Sequence, residues 1–98
     1  MNIYSVGGVE LTMSRIQQEG GYRHGEPQRY VLRNCEWTAE LALYESWTAG
    51  GSVTVEVTPR FCDGNHEKFH ADLTRVAPLI RLELAAPGAR VEIRDPEY

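Results

Sequence analysis

The chain has 98 residues, with 10 basic against 14 acidic side chains and a net charge of −4. That is enough for one domain around one core, too short for a second lobe over a deep cleft, and too acidic for a strong nucleic-acid binder. The opening MNIYSVGGVELTMSR has no basic start before an apolar run, and no stretch approaches the roughly 20 apolar residues that span a bilayer, so a cytoplasmic protein without a membrane partner is expected.

NIYSV and VELTM alternate as short β-prone runs around Gly7-Gly8, a pair suited to the positive φ angles of a two-residue hairpin turn, so the chain is expected to open on a hairpin. From Ser14 the pattern decays. Ser14 offers an N-cap for one helical turn before Gly20, Gly21, Gly25 and Pro27 stop any regular element, which makes residues 14–28 the longest expected loop. Arg15, Arg23, His24, Arg29 and Arg33 lie in or beside it, interleaved with Tyr22 and Tyr30 and interrupted by Glu19 and Glu26. Surface loops of this kind serve as binding elements or as plain connections, and Arg/Tyr mixing suits phosphates and bases as well as protein surfaces.

RYVLRNCEW alternates and is read as one strand. TAELALYESW fits two patterns: its Ala, Glu and Leu favour helix, whereas Trp37, Ala39, Leu41 and Leu43 alternate as in a strand. The turn signal TAGG and the clean alternation of Val53, Val55 and Val57 after it call for a hairpin partner upstream. The strand reading is therefore preferred, with helix as the alternative.

PRFCDGN is expected to break the strand. Asn65 then caps a helix beginning HEKFHADLTRV, with Glu67 near its positive end and an apolar stripe of Phe69, Leu73, Val76 and Ile80. Pro78 is expected to kink that helix or make it restart, and Pro87-Gly88 to end it before a last strand, ARVEIR. The predicted architecture is a single α+β domain over residues 1–98. Its mostly antiparallel sheet of about five to six strands is covered by one helix, at about residues 66–86 with a kink near Pro78.

The pentapeptide His66-Glu67-Lys68-Phe69-His70 resembles the H-E-x-x-H motif of zincin metallopeptidases. There two imidazoles four apart bind zinc and the glutamate polarises the metal-bound water. By that resemblance Glu67 is the base, with Glu83 or Glu92 recruited as a third ligand. The surrounding sequence argues otherwise: His66 falls in the first turn after the cap, Lys68 places a cation beside the site, and none of the familiar third-ligand spacings follows. A structural zinc set of Cys62, His66 and His70, completed by Asp63, Cys35 or His24, lacks a Cys-x2-Cys knuckle. Cys35 and Cys62 are read as free thiols, small and buried. A Cys62 thiolate nucleophile paired with His66 or His70 lacks an orienting group and an oxyanion hole.

No catalytic, metal or cofactor site is therefore expected. The leading reading is a protein-binding accessory or inhibitor, with Tyr22, Arg23, Arg15, Arg29 and Trp47 as contact residues. Its size and acidity resemble the general profile of small phage-encoded inhibitors of host defence, anti-CRISPR proteins among them. The alternatives are a zinc-dependent hydrolase on HEKFH and a nucleic-acid module on the Arg/Tyr loop. A homodimer stays open.

Overall fold

The computed structural model describes residues 2–16, 27–47, 49–84 and 88–96. NIYSV and VELTMSR form β1 (Asn2–Val6) and β2 (Val9–Arg15), paired from Val6↔Val9 to Asn2↔Met13. Gly7 and Gly8 join them at φ 58° and 82°, the sign that a two-residue hairpin needs at both positions. β3 (Gln28–Arg33) runs antiparallel to β2. Ser14 pairs with Val31 inside this ladder, so it is a strand residue and not the expected helix cap. The connection is correspondingly shorter at both ends.

The stretch read as one strand, RYVLRNCEW, is two. Asn34 ends β3 because its Oδ1 accepts from the Glu36 and Trp37 amides at 2.8 and 2.9 Å, while its own N–H donates to the Trp37 carbonyl at 3.1 Å. Such side-chain bonds to nearby amides compete with the ladder and turn the chain. TAELALYESW is a strand, within β4 (Trp37–Trp47), and it pairs antiparallel with both β3 and β5 (Val53–Gly64).

The expected break at PRFCDGN does not occur, since β5 continues through it to Gly64. A proline is tolerated there for a reason visible in the register. Val57 accepts a bond from the Arg94 amide on its outer side, and amides two residues apart in a strand point the same way, so the Pro59 nitrogen faces the side that no longer carries a partner strand. Further on, Thr38↔Asp63 and Ala39↔Phe61 leave Cys62 as the extra residue of a bulge.

Asn65 starts α1 (His66–Leu84) as expected: its Oδ1 accepts from the Lys68 amide at 3.0 Å and its carbonyl accepts from Phe69 at 3.0 Å. The Asn65 amide donates to the Glu36 carbonyl at 2.7 Å, which ties the helix start to the β3–β4 turn. The helix neither stops nor restarts at Pro78, which is exposed. Leu79 and Ile80 directly after it are buried, so packing on the sheet holds the turn where proline withholds its N–H. α1 returns the chain to β6 (Arg90–Ile93), which pairs parallel with β5 because a helix, not a hairpin, connects them.

The result is a six-stranded, mostly antiparallel sheet in the order β1-β2-β3-β4-β5-β6, packed on one helix: an α+β fold. Its core is the helix-facing rows of the sheet, including Leu11, Leu32, Trp37, Ala39, Leu41, Val55 and Val57, against Phe69, Val76, Leu79 and Ile80. Phe69 meets the edge of Trp37 at 5.2 Å between ring centroids and Phe61 at 5.6 Å. Leu73 of the expected stripe is half-buried, while Asp72 and Leu79 join the buried set.

Candidate functional site

Strict alternation along the strands divides the charged residues between two faces. The rows covered by the helix are apolar. On the opposite face, Arg33 pairs with Thr38, Val31 with Glu40 and Glu40 with Arg60, Arg29 with Ala42 and Ala42 with Thr58, and Tyr44 with Glu56. None of these is buried, so among the described residues this face of the sheet is uncovered. Two of its charged pairs close on themselves: Glu56 accepts from Arg94 at 2.6 Å, and Arg90 lies 3.4 Å from Glu92. The guanidinium groups of Arg29, Arg33 and Arg60 make no hydrogen bond or ion pair among the described residues.

Arg29 and Arg60 also share a hollow of about 180 Å³, lined with Glu40, Ala42, Tyr44 and Thr58. Its floor is Ala42, the smallest side chain of its row, so the long neighbours in β3 and β5 rise around a dip. Tyr44 is exposed at the end of the hollow, whereas Trp47, 69% exposed at the end of β4, has the parity of Leu41 and Leu43 and lies on the other side of the sheet.

Of the five residues expected to bind a partner, Arg15, Arg29 and Trp47 are among the described residues, and they do not share one face of the sheet. Arg15 pairs with Tyr30, which packs against the core, so Arg15 projects on the helix side of the sheet and lines a cavity of about 440 Å³ with Tyr4, Met13, Tyr30, Glu83 and Leu84. Arg29, one position from Tyr30, projects on the other side. Trp47 is exposed and, paired with Val53, projects on the helix side of the sheet like Arg15; Tyr22 and Arg23 lie outside the described residues. Arg60, Tyr44 and Thr58 escaped the sequence reading. The outward parity of Tyr44 and Thr58 was visible, whereas Arg60 lay in the expected break PRFCDGN, and the neighbours of all three depend on a register that no local pattern specifies.

In HEKFH, His66 and His70 stack with ring centroids 6.2 Å apart, and Phe61 sets its ring edge-on to His66 at 5.0 Å. The recruited ligands lie elsewhere. Glu83 is 16 positions from Glu67, about 24 Å along the same helix, where the Tyr4 hydroxyl donates to it at 3.4 Å, and Glu92 pairs with Arg90. No group of three metal-ligating side chains converges among the described residues, and His24 lies outside them.

Cys35 and Cys62 are unpaired and exposed, not buried as expected, because one sits in the β3–β4 turn and the other on the β5 bulge. Partial desolvation of the Cys62 sulfur pushes its thiol pKa up, and the Glu40 charge adds to the shift. Asp72 is a feature the sequence did not announce. It is 1% exposed, accepts from the Trp37 indole N–H at 2.9 Å through Oδ2, and holds Oδ1 3.5 Å from Lys68 Nζ, which also lies 3.9 Å from Glu36.

No helix among the described residues is long and apolar enough to cross a membrane. No protein-family model, curated protein or solved structure matches this chain.

Proposed function

We propose that the chain is a non-catalytic module that binds another protein, as an accessory or inhibitor, through the uncovered face of its sheet. The observation that carries this reading is the set of Arg29, Arg33 and Arg60, which form no ion pair among the described residues on one face of an acidic chain whose Arg94 and Arg90 on the same face pair with Glu56 and Glu92. Solvated antiparallel faces are common, and cross-strand neighbours of opposite charge on them ordinarily pair. Here two arginines flank a hollow beside an exposed tyrosine, and Arg and Tyr are among the residue types that dominate protein interfaces.

Affinity capture on the tagged full chain, from a lysate of its source organism, tests the reading when run beside an Arg29→Glu/Arg60→Glu variant of unchanged melting temperature. One protein retained stoichiometrically by the native chain and lost from the variant supports it. Failure to retain any protein counts against it. So does a hydrolytic activity that depends on zinc and disappears in His66→Ala/His70→Ala.

A further inference from the structure

We propose that the hollow over Ala42 is a receptor for a single carboxylate, the side chain of an Asp or Glu presented by the protein partner. This rests on the protein-binding reading above and specifies its chemistry. The hollow is ringed by Arg29 from β3, Glu40 and Tyr44 from β4, and Thr58 and Arg60 from β5. The register explains the ring: Arg29, Ala42 and Thr58 form one row across three strands, and Glu40 and Arg60 face each other in the next. Arg29 and Arg60, whose guanidinium groups make no ion pair among the described residues, line the same dip from opposite strands. A guanidinium fork matches a carboxylate with two parallel N–H donors, and the Thr58 and Tyr44 hydroxyls supply further donors at the rim.

Size and charge then select among anions. At about 180 Å³ the hollow is smaller than pockets that enclose whole small molecules, and it suits the head of one side chain. Glu40 reduces the formal charge of the rim to that of one net cation, which favours a monoanion over the dianion of a phosphate group. A net charge of −4 on the whole chain opposes the approach of a polyanion such as a nucleic acid. Arg33 lies on the same face but outside the ring, so it serves as an internal control.

The experiment is a titration of the full chain followed by the arginine Nε–Hε resonances in ¹H–¹⁵N spectra. The probes are a capped glutamate, the matching capped glutamine, inorganic phosphate and a short single-stranded oligonucleotide. The expected result is a saturable shift of the Arg29 and Arg60 signals with glutamate and none with glutamine. Affinity should fall about tenfold or more in Arg29→Ala and in Arg60→Ala, stay unchanged in Arg33→Ala, and rise in Glu40→Gln. Equal response to glutamine, native-like titration of either arginine variant, or tighter binding of phosphate or oligonucleotide overturns the proposal. Captured protein that survives Arg29→Ala/Arg60→Ala overturns the carboxylate pocket while leaving the protein-binding module standing. Glutamate binding with no protein captured does the reverse.

Discussion

Asp72 is the buried charged side chain among the described residues, and its surroundings say what it costs to remove. Replacing it with Ala leaves the Trp37 indole N–H without an acceptor in the core, a loss of about 1–3 kcal/mol, while Lys68, 41% exposed at its side chain, rehydrates. Asp72→Asn keeps an acceptor facing the indole and should cost less than half as much. Urea unfolding of both variants checks this; equal losses would show that the charge, not the hydrogen bond, is what matters. Cys62 gives a second residue-level expectation. Because its pKa is raised in the fold, the native state holds the thiol proton at pH values where the unfolded chain has begun to release it, and stability falls as pH rises above the ordinary thiol value. The iodoacetamide reaction of Cys62 should accordingly show a pH midpoint above that of a cysteine in an unstructured peptide, and a midpoint at or below the peptide's rejects the burial argument.

At the level of elements, Gly64 and Asn65 are the joint between β5 and α1. Gly64 adopts φ 101°, and a Cβ there would collide with the Glu36 carbonyl oxygen and the Trp37 Cα, both backbone atoms that cannot swing aside. Gly64→Ala should destabilise the protein by ~3 kcal/mol from backbone strain and overpacking together. Gly8, also at positive φ, has open space around its missing side chain, so Gly8→Asn should cost far less. Asn65→Ala removes the acceptor for the Lys68 amide and should cost about 1 kcal/mol. Thermal melts of the three variants rank these costs, and a Gly64→Ala protein as stable as Gly8→Asn would show that the joint relaxes. The elements themselves were mostly legible. Alternation announced the opening hairpin, Val53, Val55 and Val57, and ARVEIR, and the Asn65 cap with its apolar stripe announced α1. PRFCDGN was misread because proline and glycine are breakers only where the ladder needs their N–H or where no bulge takes up the extra residue.

For the whole molecule, metal content separates the binding module from a hydrolase. Protein purified without added metal should contain far less than one zinc per chain and melt at the same temperature with a chelator; stoichiometric zinc lost in His66→Ala/His70→Ala would reverse that expectation. The sequence by itself determined the α+β class, the sheet rows that face the core and the helix that covers them, because periods of two and of three to four residues are local properties of the chain. It also supplied the arginines. What the tertiary structure alone decided was their company. Arg15 and Arg29, fourteen positions apart in and beside one expected loop, lie on opposite sides of a sheet, whereas Arg29 and Arg60, distant in sequence, flank one hollow over Ala42. A shift of one residue in any strand pairing would reverse those sides, and register is fixed by burial of the core rows across all six strands together, not by any segment read alone.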